Sequence, residues 1–215
     1  MKKSFYFLAI VLIISFLGGC KKDNPVLPTV VNGQVLERGT NKPLEGVKVV
    51  LMEGTYQGLG SGNYSYSPVI TVLTDKEGRY TFNNLIKGDS KDYVIWFYKD
   101  KYDSITDSQN DVDVDWNKTS SPITKMYPFA WLTIKIINDK SFDEGDKIQI
   151  GGPWDAAGLD DIYSGKDVSL TFTKKTRGGL KAGVLWWITK NNLSKFYSDS
   201  TYIKPHDTTY YQIKY

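Results

Sequence analysis

From residue 29 to the end of the chain, apolar residues come in short runs separated by Gly, Pro, Asn and Asp. Trp131-Leu132-Thr133-Ile134-Lys135-Ile136 and Val168-Ser169-Leu170-Thr171-Phe172-Thr173 alternate apolar with polar. That period of two puts successive side chains on opposite faces of a strand. Thr29 to Leu36, Val47 to Met52, Val69 to Thr74 and Arg79 to Phe82 read as further strands, and the apolar run Tyr93 to Tyr98 as a central one. In the second half, Lys147 to Ile150, Val184 to Thr189 and Tyr210 to Tyr215 complete the set. Turn residues fall between them at Gly39-Thr40-Asn41, Asp75 to Gly78, Asp143 to Gly145, Gly151 to Pro153, Ser164-Gly165 and Arg177 to Gly179. Glu53 to Pro68, with four glycines and three tyrosines, reads as an exposed loop or a long hairpin. No segment after residue 28 sustains a helical period. The expectation is an all-β chain of two β-sandwich domains in tandem, 29–126 and 127–215.

The N-terminus follows a different pattern. Met1-Lys2-Lys3 precedes an apolar run from Phe5 to Leu17, the layout of a secretory signal peptide and short for a membrane span. The run closes on Leu17-Gly18-Gly19-Cys20, which resembles the lipobox of bacterial lipoproteins. That resemblance implies cleavage between Gly19 and Cys20 and acylation of Cys20, with 1–19 removed. It also implies 20–28 as a tether, stiffened by Pro25 and Pro28. Several acyl chains anchor durably where one does not. Lys21-Lys22-Asp23 resembles the export signal of Bacteroidota-type surface lipoproteins. The expected location is the outer membrane, lipid-anchored, with the cell surface and the periplasmic face both open. An ordinary secretory peptide that happens to contain a cysteine is the alternative.

Composition sharpens this picture. The chain has 215 residues, one cysteine and one histidine. One cysteine permits no internal disulfide and no thiolate metal cluster, and its position at the lipobox strengthens the anchor reading. The net charge of +3 falls to 25 basic against 24 acidic residues once 1–19 are removed, so nothing points to nucleic acid. Aromatic residues make up 14% of the chain, which suits strands and leaves material for a binding face.

Four blocks occur in order: Gly33-Gln34-Val35, Asn41 to Val49 (N-K-P-L-E-G-V-K-V), Thr74 to Phe82 (T-D-K-E-G-R-Y-T-F) and Leu85-Ile86-Lys87-Gly88. Together they resemble the carboxypeptidase regulatory-like domain, a transthyretin-like β-sandwich, over residues 29–126. The resemblance implies a strand entry at Pro43-Leu44 and a hairpin at Asp75–Gly78 whose aromatics, Tyr80 and Phe82, point inward. For function it is nearly silent, because the module recurs as an accessory piece. The zinc peptidases that such a domain often accompanies are excluded here, since a second histidine ligand is missing.

Candidate chemistry is sparse. Asp111, Asp113 and Asp115, with Asp107 nearby, would share one strand face and could offer oxygen ligands to calcium, but they lack the EF-hand order, and an acidic, solvated edge strand that discourages aggregation is the favoured reading. Trp154, the adjacent Trp186 and Trp187, and Tyr64 and Tyr66 could stack on sugar rings, or could simply fill sandwich cores. Trp186 and Trp187 must face opposite sides of any strand that holds them. His206 beside Asp207 reads as a loop histidine without a role rather than a dyad. Ser104, Ser200 and Thr208 sit in Asp-Ser/Thr motifs that resemble Bacteroidota-type O-glycosylation sites. No cofactor is implied. The expected function is a non-catalytic, lipid-anchored accessory binding or scaffold module with a glycan or outer-membrane protein partner. An adhesin or fimbria-related subunit is the alternative, ahead of a hydrolase using carboxylates such as Asp160 and Asp161.

Overall fold

The computed structural model describes residues 28–58, 64–88, 91–105, 112–152 and 161–215. The lipobox, Gly19 and Cys20 included, lies outside them, as do Asp107, Asp111, Trp154 and Asp160. No helix among the described residues is long and apolar enough to cross a membrane.

The chain is all-β. Its first half contributes β1 (Thr29–Glu37), β2 (Lys48–Tyr56), β3 (Tyr64–Leu73), β4 (Arg79–Leu85), β5 (Asp92–Tyr98), β6 (Val112–Asp113), β7 (Thr119–Ser120) and β8 (Ile123–Met126). One sheet runs β3-β2-β5-β6; in the other, β1 pairs antiparallel with β4 and parallel with β7 and β8. Strict alternation in β1 buries Val31 and Val35, and β5 sends Tyr93, Ile95 and Phe97 to the same core. Phe82, Tyr80, Val49, Leu51 and Met126 complete it. Each such side chain contributes about 1.5–3 kcal/mol when fully buried.

The second half contributes β9 (Phe129–Ile137), β10 (Lys147–Gly151), β11 (Asp161–Ser164), β12 (Ser169–Arg177), β13 (Leu180–Lys190), β14 (Leu193–Ile203) and β15 (Thr208–Lys214). They form the sheets β11-β10-β13-β14 and β12-β9-β15, around a separate core of Leu132, Ile134, Ile136, Ile148, Ile150, Val184, Ile203 and Ile213.

Two expectations need correcting, and one alternative is settled. The Asp75–Gly78 turn is not a hairpin: β3 belongs to one sheet and β4 to the other, so the turn carries the chain between layers. Tyr80 and Phe82 do point into the core. The turn is tightened by Asp75 Oδ1, which accepts from Arg79 N at 2.7 Å, and by Gly78 at φ +70°, where a Cβ would lie 2.4 Å from the Val35 carbonyl oxygen. Glu53–Pro68 resolves in favour of the long hairpin, since β2 and β3 pair from Lys48↔Leu73 to Tyr56↔Tyr64. The acidic strand stops at Asp113, so Asp115 is not on it; Asp115 instead pairs with Lys118 at 3.2 Å.

The two cores meet at a packed junction. Glu37 is buried and accepts from Tyr102 Oη at 2.6 Å and Thr40 Oγ1 at 2.7 Å. His206 Nε2 lies 2.6 Å from Glu37 Oε2 and donates to it, because an ionised carboxylate can only accept. Burial works to raise the Glu37 carboxyl, but the hydrogen bonds from Tyr102, Thr40 and His206 outweigh it and hold it below the usual 4.5. Burial, and then the bond to Glu37, pushes the Tyr102 phenol well up. Arg177 pairs with Asp103, and both Arg38 and Arg177 lie over the Tyr127 ring, at 4.9 and 5.4 Å. Gly179, at φ +76°, abuts the Arg38 carbonyl so closely that a Cβ would sit 2.1 Å from its oxygen. His206 thus has a structural partner that its loop position did not announce.

Candidate functional site

The long β13–β14 hairpin forms one wall of a cleft that collects aromatic and charged side chains. Its turn is Asn191-Asn192, both at positive φ (46° and 58°), the left-handed pair that a two-residue hairpin loop requires. That turn fixes the register, with Lys190 opposite Leu193, Trp187 opposite Phe196 and Trp186 opposite Tyr197.

Trp186 and Trp187 fall on opposite faces. Trp186 turns inward beside Val184 and Ile188 and packs on the edge of the core, half-buried. Its ring runs nearly parallel to that of Tyr197, 10° between planes and 5.9 Å between centroids. Tyr211 of β15 meets Trp186 edge-on at 6.4 Å, and its hydroxyl donates to Asp199 Oδ2 at 2.6 Å. This bond, first, and the Ser200 amide hold the Asp199 carboxyl below its ordinary value. It also ties β14 to the opposite sheet. Beside the Trp186–Tyr197 pair lies a cleft of about 390 Å³ lined by those rings with Asp139, Lys140, Lys190, Lys214 and Tyr215.

A buried carboxylate organises the far wall. Asp146 accepts from Asn138 Nδ2 at 2.9 Å and from the amides of Phe142 and Asp143 at 2.8 and 3.5 Å. Burial acts to raise its carboxyl, yet these bonds and nearby Lys190 bring it below the ordinary range. Lys190 Nζ lies 3.7 Å from Asp146 and 4.9 Å from the Tyr215 ring centre, and donates to Asn138 Oδ1 at 2.8 Å and to the Lys140 carbonyl. The loop after β9 is thereby pinned, which sets Asp139 and Lys140 at the rim. Tyr215 is buried and its hydroxyl has no partner among the described residues; burial first, then Asp146, pushes it up to about 12.

On the outer face of the same sheet Trp187 tilts over Phe196, centroids 5.0 Å apart, between the exposed Leu185 and the row that runs through Gln149 to exposed Ile162. In the first half, Tyr64 and Tyr66 belong to a ladder across β3, β2 and β5: Tyr56–Tyr64 at 5.6 Å, Tyr64–Tyr66 at 6.1 Å and Tyr66–Trp96 at 5.5 Å. Tyr66 donates to Asp92 at 3.0 Å and covers Gly54. The ladder shields Val50, Met52 and Val94, so much of it serves as a cover over apolar strand positions. The aromatic candidates among the described residues are therefore not one platform but three separate places.

The remaining candidates stay apart. Asp113 and Asp115 have been placed above, and among the described residues no group of three or more His, Cys, Asp and Glu is arranged to hold a metal ion. Ser104 and Ser200 are exposed, the latter on β14, while Thr208 is half-buried at the start of β15. Asp161 pairs with Lys174 at 2.9 Å. His206 points to Glu37 across the junction, not to Asp207. Tyr197, Asp139, Lys140, Lys190, Lys214 and Tyr215 are site residues that are not among the sequence candidates, and β14, exposed along most of its length, carries no alternation that marks Tyr197. The Asn191-Asn192 pair between two aromatic runs was the available signal.

No family model matches the chain, and no curated protein matches it. Similar solved structures include a Streptococcal ancillary pilin, at 16% identity over 89% of this chain and 63% of that one, TM-score 0.33. A DUF3823 family protein from Bacteroides uniformis aligns at 11% identity over 82% of this chain and 99% of its own, TM-score 0.33. The minor pilin of Streptococcus agalactiae aligns at 11% identity over 86% and 94%, TM-score 0.35. This chain thus spans less than two thirds of the ancillary pilin's length.

Proposed function

We propose that this chain is a non-catalytic, lipid-anchored surface module that binds carbohydrate through its C-terminal half, with the N-terminal half acting as a spacer. The observation that carries the reading is the cleft beside Trp186 and Tyr197. Two near-parallel aromatic rings at its edge offer apolar faces to the C–H side of a sugar ring, and a carboxylate and two ammonium groups at its rim can reach hydroxyls. The packed junction suits a spacer, because a module fixed at one angle holds its cleft at a fixed height above the membrane.

Binding of the detergent-solubilised full chain to an array of oligosaccharides tests the reading. Retention of particular saccharides, lost on Trp186→Ala, is the expected result; no retention of any saccharide contradicts it. The anchor has its own test. Cys20→Ser releases the protein from membranes if Cys20 carries the lipid, and an unchanged membrane fraction contradicts it.

A structural subunit that assembles through its sheet edges is a second reading. It is favoured by β14, an eleven-residue strand that, among the described residues, pairs with β13 alone and stands at the edge of its sheet. Concentration-dependent self-association that Ser198→Pro abolishes would support it, and a monomer at all concentrations would end it.

A further inference from the structure

A strand at the edge of a sheet can pair with another chain unless something in it blocks the ladder. Among the described residues the edge strands of nine or more residues are β3, β12 and β14. β3 is interrupted by Pro68 and by a register shift against β2, and β12 carries Lys174, Lys175 and Arg177. β14 has neither device. It pairs with β13 in one unbroken register, and it is exposed from Leu193 to Ser200. Because the Asn191-Asn192 loop has two residues, Lys190 and Leu193 form a hydrogen-bonded pair, and such pairs alternate with non-bonded ones along an antiparallel ladder. The next pair, Thr189 and Ser194, brings its hydroxyls to 2.7 Å, in keeping with the closer spacing of a non-bonded pair. Lys195, Tyr197 and Asp199 therefore bond to β13, while the N–H and C=O of Phe196 and Ser198 point away from it. The Ser200 amide is taken by Asp199 Oδ1 at 2.7 Å, which closes the edge at that point.

Resting on the sheet-edge reading above, we infer that β14 pairs antiparallel with β14 of a second copy of this chain, around a two-fold axis at Tyr197. The charges select this register. Lys195 and Asp199 are exposed, flank Tyr197 at equal spacing and share its face of the strand. With the axis at Tyr197, each Lys195 stands opposite Asp199 of the other copy. With the axis at Lys195 or at Asp199, like charges meet instead. Asp199 keeps room for the ammonium after accepting from Tyr211 and Ser200, since a carboxylate offers about four lone-pair sites. Phe196 and Ser198 exchange main-chain bonds with Ser198 and Phe196 of the second copy. Tyr197 meets its own counterpart, so the Trp186–Tyr197 stacks of the two copies join in one row. A two-fold contact uses the same edge on both molecules, so assembly through β14 closes at a dimer. A ladder of this length falls short of the about 1,200–2,000 Å² that stable complexes bury, so the dimer should dissociate in the micromolar range.

Sedimentation of the detergent-solubilised full chain should show a reversible monomer–dimer equilibrium and nothing larger. Lys195→Asp and Asp199→Lys, each alone, set like charges opposite each other on both sides of the axis and should weaken dimerisation about tenfold or more. An equimolar mixture of the two variants restores both attractions and should dimerise about as tightly as the wild type, a rescue that a misfolded chain cannot give. In a second arm the register is trapped directly. Oxidised Tyr197→Cys should give a dimer linked through position 197 in both copies, identified by mass spectrometry of the joined peptides. Ser198→Cys should not link to itself, because its two Cα atoms lie beyond the about 7 Å that a disulfide spans. Single variants that dimerise as the wild type does, a mixture no tighter than either variant, or a link at 198 with none at 197 overturns the inference. Open polymers that Ser198→Pro disperses also overturn it and leave the sheet-edge reading standing. A monomer at all concentrations overturns both.

Discussion

The junction around Glu37 and the cleft around Trp186 are built from the same materials, aromatic rings and charged side chains at the margin of a β-sandwich, yet they treat charge in opposite ways. At the junction two carboxyl groups, one buried and one half-buried, are answered within the chain: Glu37 by Tyr102, Thr40 and His206, and Asp103 by Arg177. Backbones there approach so closely that only a glycine fits at residue 179. In the cleft the internal carboxylate, Asp146, is held by three hydrogen bonds, while among the described residues the side chains of Asp139, Lys140 and Lys214 at the rim have no ion-pair partner. The contrast separates polar groups that hold the fold from polar groups that are available to bind.

Substitutions can break this contrast on either side. The largest effect is expected at the junction: Gly179→Ala must adopt a left-handed backbone and displace the Arg38 carbonyl, at a cost of about 3 kcal/mol or more. Urea denaturation measures it; a loss below about 1 kcal/mol would mean that the two halves are not closely docked in solution. Next comes Glu37→Gln, which weakens three hydrogen bonds to a buried carboxylate and should cost about 1–3 kcal/mol. The pH dependence follows from the depressed carboxyl. A group held below its ordinary 4.5 stabilises the folded state above that value, and the contribution is lost as pH falls through the lower folded-state value. The wild type should therefore lose more stability than Glu37→Gln on acidification below 4.5, and parallel acid curves would show that the carboxylate is not held as described.

On the cleft side the effects on stability are smaller and those on binding larger. Trp186→Ala removes a half-buried ring and should cost about 1–2 kcal/mol of stability while weakening saccharide binding about tenfold or more. Trp187→Ala removes a ring on the outer face, should cost less than about 1 kcal/mol, and should leave binding unchanged. A Trp187 effect on binding equal to that of Trp186 would move the site to the other face of the sheet.

How much of this was legible in the sequence follows the physics of each element. β1, β5, β9 and β12 were readable because one face, or both, meets a core and the pattern records it. β14 was not, because an edge strand exposed along most of its length has no burial to impose alternation. Its hairpin partner and the Asn191-Asn192 turn define it instead. The Asp75–Gly78 turn shows a related gap, since turn chemistry fixes the local bend and leaves the choice of sheet to the cores. The opposed faces of Trp186 and Trp187 followed from strand geometry alone. The partner of His206 could not, as Glu37 lies 169 residues away in the chain. Nor could the cleft, which collects side chains from β13, β14, β15 and the loop after β9.

The most direct test of the central claim is a calorimetric titration of wild type, Trp186→Ala and Trp187→Ala with a saccharide retained by the wild type. If the cleft is the binding site, Trp187→Ala matches the wild type and Trp186→Ala loses about tenfold or more in affinity. If Trp186→Ala binds as the wild type does, the cleft is not the site and the account of this surface is wrong.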